Sequence, residues 1–238
     1  MRRIVCAFIC VVLATMLIGC GGSENNKKNE SSVTTKHSDY LRSYKEILDK
    51  YKESCETSEE SDYENKQELS IGLMEMAQEK DLPHKVGYKL IDLNNDGEDE
   101  LLISSIEKKG YYNYIISIYQ HIDGKGVKKV EDGWARNRYY LLKGKVLLNE
   151  ASGGAFHTEV SKLKMKGQKL KTIAMATVDC EYPKNENEAG KPFFLYNSKG
   201  KTSKKKEYYI TKKEWSNITS EWENEKDKVE FISFADYK

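Results

Sequence analysis

The densest run of chemistry in the sequence is Asp92, Leu93, Asn94, Asn95, Asp96, Gly97, Glu98, Asp99, Glu100. Oxygen-bearing side chains fall at the first, third, fifth and ninth places, Asp92, Asn94, Asp96 and Glu100, and glycine holds the sixth. That spacing suits a hard cation. Alternate residues of a tightly curved loop point inward, Gly97 permits the sharp turn, and the main-chain carbonyl of Glu98 at the seventh place can complete the cage. Without a cation the loop crowds Asp92, Asp96, Glu98, Asp99 and Glu100 together, and neighbouring like charges repel even through screening solvent. A divalent ion reverses that sign. Calcium is favoured over magnesium because it accepts about six to eight oxygens in flexible geometry, and the loop has no thiol or imidazole to select zinc. A solvated hairpin, with Asn95, Asp96 and Gly97 supplying turn conformations, uses the same residues without an ion. Both readings stand at this level, although a turn alone does not require oxygens at alternate places.

The loop departs from an EF-hand. Its twelfth place is Ile103, where that motif needs a bidentate Glu, and its flanks read as strands. It resembles instead the Asp-x-Asn-x-Asp-Gly-x-x-Glu calcium loops of FG-GAP and VCBS-type repeats. It also resembles the single such loop, followed by Glu-Leu and apolar residues, of many lipoproteins of Gram-positive bacteria; here that sequel is Glu100, Leu101, Leu102, Ile103. The resemblance implies calcium as cofactor, with Asp92, Asn94, Asp96 and Glu100 as side-chain ligands and Glu98 as the carbonyl ligand. It covers a small part of the chain in one copy, so it does not imply a complete propeller.

The N-terminus carries Arg2 and Arg3 ahead of an almost unbroken apolar run from Ile4 to Ile18, the layout of a secretory signal peptide. The run is short for a bilayer span, which needs about 20 apolar residues. It closes in Leu17, Ile18, Gly19, Cys20, which resembles the lipobox of bacterial lipoproteins. That resemblance implies diacylglycerol on Cys20 and cleavage before it, leaving the chain on the extracytoplasmic face of the cell membrane. Two acyl chains anchor stably where one binds only marginally. From Gly21 to about His37 the sequence is rich in Gly, Ser, Asn, Lys and Thr without apolar periodicity, so it reads as a flexible tether. The expected division is a signal at 1–19, a lipidated cysteine and tether at 20–37, and one extracytoplasmic domain at 38–238.

Cys6 and Cys10 leave with the signal, so the domain keeps Cys55 and Cys180. In an exported chain these form a candidate disulfide; two buried free thiols are the alternative. Of 39 basic residues the signal removes Arg2 and Arg3, leaving 37 against 38 acidic ones. That balance argues against nucleic acid, whose binding needs a basic patch or excess.

Other chemistry is thin. His37, His84, His121 and His157 lack ligand spacing. Gly153 to His157 has no P-loop Lys or Ser/Thr and reads as a turn. Ser152 has no nucleophile-elbow context. Trp134, Trp215 and Trp222 invite a sugar platform, but Trp215, Ile218 and Trp222 share helical spacing and read as a core face.

The elements that must position the loop follow from periodicity. Leu41, Tyr44, Ile47, Leu48 and Tyr51 mark one helix face, and a second helix is expected over 64–80, ending before Pro83. After Pro83 the period becomes two, giving a strand, the acidic loop and a strand. Further strands are expected at 111–122, 138–142, 145–149, 156–165, 170–178, 192–196, 207–210 and 229–234, with a hairpin turn at Asp123 to Gly126. Thr211 and Glu214 form a capping box opening a helix to about Glu225. The class is α+β, with N-terminal helices and a late C-terminal helix packed on a largely antiparallel, hairpin-connected β-sheet. The function expected is that of a membrane-anchored, calcium-binding, non-enzymatic surface module for an extracellular protein, glycan or peptidoglycan. A lipid-anchored hydrolase acting on cell-surface glycan or peptide is the alternative. A transporter-associated solute receptor is disfavoured, because such receptors have two larger lobes.

Overall fold

The computed structural model describes residues 25–57, 63–107, 113–154, 157–180, 192–201 and 206–238, with side chains from residue 41 onward. Arg2, Arg3, the apolar run and Cys20 lie outside the described residues. The chain divides into two units, Met1–Lys36 and His37–Lys238, and, apart from the opening residues of the first helix, the second carries every element described below.

Helix α1 (Asn25–Glu56) is followed by three short helices, α2 (Tyr63–Leu69), α3 (Ile71–Glu75) and α4 (Leu82–Lys85). Strands β1 (Val86–Ile91), β2 (Glu100–Ser105), β3 (Ile115–Ile122), β4 (Gly126–Asp132), β5 (Asn137–Leu142) and β6 (Val146–Gly154) come next. They continue through β7 (His157–Lys166), β8 (Lys169–Cys180), β9 (Pro192–Asn197) and β10 (Tyr209–Ile210) before helix α5 (Lys212–Asn224) and strand β11 (Ile232–Ser233). The strands form one sheet in the order β10-β9-β8-β7-β6-β5-β3-β2-β1-β11, with β4 also paired to β3. All its named strand pairings are antiparallel. The class is α+β.

Alternation along the strands sorts the core by face. Leu101, Ile103, Ile116 and Tyr119 pack with Tyr44, Leu48, Tyr51 and Cys55 of α1, with Leu73 and Leu82, and with Phe234. Farther along the sheet, Trp222 of α5 covers Tyr140, Leu142, Leu148, Val160 and Ala176. Their in-between neighbours face the other way: Leu102, Ile115, Ile118, Tyr139, Leu141, Leu147, Leu163 and Met165 form one cluster. That cluster joins β2 to β7, so the sheet curls until β4 meets β8. Each fully buried Leu or Ile contributes roughly 1.5–3 kcal/mol relative to exposure.

The helix expected over 64–80 is broken. Ser70 is extended (φ −166°), and its Oγ accepts the Leu73 N–H, capping α3. The same hydroxyl donates to the Ile116 carbonyl at 2.9 Å. A serine that bonds its own chain competes with helix continuation. The break lets α3 press on the sheet: a Cβ at Gly72 would lie 2.5 Å from the Gly133 carbonyl oxygen. Pro83 sits within the first turn of α4, where its missing N–H costs nothing. Helix α1 starts at Asn25, inside the stretch the composition reads as tether, because a helix nucleated on the amphipathic face propagates at one bond per residue.

The Cys55–Cys180 disulfide is a correction. Both are free thiols: Cys55 is held in the α1 core cluster, whereas Cys180 ends β8, opposite Pro192 of β9. Five strands, β7, β6, β5, β3 and β2, separate β8 from β1 in the sheet order. Burial pushes the Cys55 thiol up to about 12, which makes it unreactive. No described helix is long and apolar enough to cross a membrane.

Candidate metal centre

Strands β1 and β2 pair from Val86↔Ser105 to Ile91↔Glu100, so Asp92–Asp99 is the connection of one hairpin. Asn95 (φ 63°) and Gly97 (φ 92°) take the left-handed conformation, and that tightens the loop onto its own side chains. Asp92 Oδ1 accepts the Asp96 N–H at 3.2 Å, and its Oδ2 accepts the Gly97 N–H at 3.2 Å. Asn94 Oδ1 accepts the Asp96 N–H at 2.8 Å. Asp96 Oδ1 accepts the Glu98 N–H at 2.9 Å. Each ionised carboxylate has about four lone-pair sites, so these bonds leave acceptor capacity on Asp92 and Asp96.

Glu100 begins β2 and is fully buried (0 % exposed). Its Oε2 accepts the Leu93 N–H at 2.7 Å. Its Oε1 faces two amides, Asn94 Nδ2 at 3.3 Å and Gln120 Nε2 at 3.1 Å. Asn94 Nδ2 also lies 2.7 Å from Asp96 Oδ2 and 3.5 Å from the Gly167 carbonyl. Burial, with the negative charges of Asp96 and Asp92, pushes the Glu100 carboxyl up to about 7, against the Leu93 hydrogen bond.

Two other elements hold the loop. Tyr44 of α1 donates its hydroxyl to the Asp99 carbonyl at 2.9 Å and accepts the His121 N–H at 2.8 Å, tying the helix to both β3 and the loop. Lys145 donates to Asn95 Oδ1 at 2.8 Å and stands 3.8 Å from Asp92 Oδ2. No family model, curated protein or solved structure matches the chain.

Asp96, Asn94 and Glu100 meet around one amide, Asp92 braces the loop from within, and Glu98 enters through its main-chain N–H. Among the described residues no three His, Cys, Asp or Glu side chains converge closely enough to hold a metal. What converges instead is mixed, two carboxylates and two amides. Gln120, Tyr44 and Lys145 come from distant parts of the chain and carry no spacing signal. The histidines stay apart: His84 pairs with exposed Asp81 at 2.7 Å, while His121 and His157 each stand 4.0 Å from an aspartate, Asp123 and Asp179. The side chain of His37 lies outside the described residues. Ala155 and Phe156 of the Gly153–His157 turn also lie outside them.

A second polar cluster was not legible in the sequence. Lys226 Nζ lies 2.6 Å from Glu150 Oε1, 2.7 Å from Glu223 Oε2 and 3.4 Å from the centroid of the Tyr140 ring. Burial, then the hydrogen bond its protonated form donates to Glu223, raises the Glu150 pKa against the attraction of Lys226. The ammonium fills the gap that a hydrolase keeps between its carboxylates for a water or a sugar. This cluster closes α5 onto the sheet.

Proposed function

We propose that the chain is a lipid-anchored extracytoplasmic binding protein, non-enzymatic, whose β1–β2 hairpin is set by a calcium ion. The observation that carries this reading is the fully buried Glu100 carboxyl, which is met by the neutral donors Leu93 N–H, Asn94 and Gln120. Buried charge of this kind needs a partner of opposite sign. By its spacing the loop offers Asp92, Asn94, Asp96, Glu100 and the Glu98 carbonyl as the hard oxygens that calcium takes. The ion supplies positive charge that relieves the repulsion among the carboxylates and fixes the hairpin for a protein, glycan or peptidoglycan partner outside the cell.

The test is calorimetry with calcium chloride on the full chain in detergent, beside Asp96→Ala, with parallel thermal melts. Extracellular calcium modules bind at about 0.1–1 mM, so ~10 mM calcium stabilises the fold by about 1.4–2.7 kcal/mol through linkage. For a domain of this size that raises the melting temperature by about 3–10 °C. Asp96→Ala is expected to lose both heat and shift. Silence in the unchanged chain at millimolar calcium would reduce the loop to an acidic turn.

The anchor has its own check. Cys20→Ala is expected to move the protein from the membrane fraction to the soluble fraction, because the two acyl chains supply the lasting attachment. Retention of the variant in washed membranes would sink the lipid anchor.

A further inference from the structure

Strands β7 and β8 run on past both their neighbours. The register of β6 on β7 ends at Leu147↔Leu163 and that of β9 on β8 at Met175↔Asn197, whereas β7 and β8 stay paired out to Lys166↔Lys169. In this tip Leu163, Met165 and Leu170 turn into the apolar cluster shared with Leu93. Alternation puts Lys164, Lys166, Lys169 and Lys171 on the other face, and all four are exposed. The register sets them directly opposite one another, Lys164↔Lys171 and Lys166↔Lys169.

Like charges facing each other across a ladder destabilise it. The chain does not lack acids to place there, since 38 Asp and Glu stand against 39 Lys and Arg. Lys162, the next residue on that face toward the body of the domain, has Glu225 at 2.6 Å. Among the described residues no carboxylate pairs with the four lysines beyond it. The acidic loop touches the tip, with Asn94 Nδ2 3.5 Å from the Gly167 carbonyl. Its Leu93, however, packs on the apolar face, and the lysine that meets Asp92 is Lys145. The cationic face is therefore left for an anionic surface outside the chain.

We propose that the face formed by Lys164, Lys166, Lys169 and Lys171 docks on an anionic phospholipid bilayer. This rests on the membrane reading above and deepens it, because it names the side of the domain that lies against lipid. Strand geometry sets the four Cα atoms about 5 Å apart across the ladder and about 7 Å apart along it. An ammonium is a compact, hydrated point charge on a flexible stem, so four of them on such a grid match a plane of many phosphates better than one bidentate site. The same residues disfavour nucleic acid: from Lys164 to Lys171 there is no arginine and no aromatic ring on which a base could stack. Clustered lysines hold to acidic headgroups by charge alone, and an acyl anchor gains a second attachment from such a patch.

The experiment reconstitutes the full chain in vesicles of pure phosphatidylcholine and of an equal mixture of phosphatidylcholine and phosphatidylglycerol. Lysines are acetylated with a water-soluble succinimidyl ester and read site by site by mass spectrometry. One lysine at an anionic bilayer is worth about fivefold in binding, so acetylation of the four is expected to fall about fivefold or more in the mixed vesicles. It is expected to recover in ~0.5 M salt, where screening is short-ranged. Lys80, exposed in the turn before α4, is expected to label alike in both. The double variant Lys166→Gln/Lys169→Gln removes one like-charge pair, so it melts no lower than the unchanged chain, and the protection of Lys164 and Lys171 is expected to be largely lost. Equal labelling of the four lysines in the two vesicles overturns the docking face, as does equal protection of Lys80. Full protection of Lys164 and Lys171 in the double variant overturns the joint action of the four. Protection by soluble polyphosphate in pure phosphatidylcholine, with none from phosphatidylglycerol, overturns the bilayer in favour of a polyanionic polymer. A chain that stays out of both vesicles sinks the membrane reading itself, and the docking face with it.

Discussion

Phe234→Ala is expected to lower stability by about 4 kcal/mol, within the range of large aromatic truncations in well-packed cores. Phe234 is fully buried (0 % exposed). Its ring stacks on Tyr51 of α1 at 5.8 Å with planes 10° apart, and meets Tyr88 of β1 at 5.7 Å and Tyr237 at 6.2 Å. Its N–H donates to the Val86 carbonyl at 3.0 Å. The tail of the domain therefore clamps its first helix to its first strand, and no small side chain can keep those three rings in contact. The matching fall in melting temperature is about 10 °C for a domain of this size. Urea titration of the variant checks it. A loss under about 1 kcal/mol would mean that the Tyr51, Tyr88 and Tyr237 rings close the gap, against the partial relaxation usual for cavities.

Lys226→Ala is expected to cost about 3 kcal/mol at neutral pH. Breaking a buried ion pair from one side costs about 3–5 kcal/mol, and the half-exposed Glu223 moves the figure to the low end. Lys226 is 7 % exposed, and burial works against its charge, yet the Glu150 and Glu223 carboxylates hold the ammonium above its ordinary pKa. Main-chain bonds on either side, Lys143 N–H to Glu225 O at 3.1 Å and Asp227 N–H to Leu141 O at 2.8 Å, keep the backbone in place when the side chain is removed. The variant then leaves the part-buried Glu150 and half-exposed Glu223 carboxylates with no ammonium between them. Without Lys226 the folded-state pKa of both rises. A raised carboxylate favours folding below the unfolded value, near about 4.3, and that contribution fades as pH rises through the folded pKa. The gap between the unchanged chain and the variant should therefore widen from pH 5 to pH 8. Denaturant midpoints across that range test it, and a gap independent of pH would show that the lost packing of the stem, not the charge, is responsible.

The two ends of the domain were readable because they obey local rules. Thr211 and Glu214 form the capping box that the sequence announces, with both reciprocal bonds present. Tyr44, Leu48 and Tyr51 bury the face their spacing marks. Strand β4 was not readable: Gly126–Asp132 is mostly polar and half-exposed, so no apolar alternation betrays it. The broken helix at Ser70 was hidden for a different reason, since its cause is a hydroxyl reaching the Ile116 carbonyl 46 positions away. The candidate site divides along the same line. Asp92, Asn94, Asp96 and Glu100 share one hairpin and announce themselves by spacing. Gln120 and Tyr44 arrive through sheet register and helix packing, and only the folded chain shows that they belong.

The sheet margins bear on crowding. One end of the order is β10 and the other is β11, each two residues long. Beside β10, strand β9 opens with Pro192, which has no N–H to offer a neighbour. The remaining margin, β4, carries Lys128, Lys129 and Glu131. Short, charged or proline-bearing margins discourage strand-by-strand joining of copies. At high density, neighbouring molecules would find little open ladder to extend, so the population would resist aggregating into a continuous β-structure.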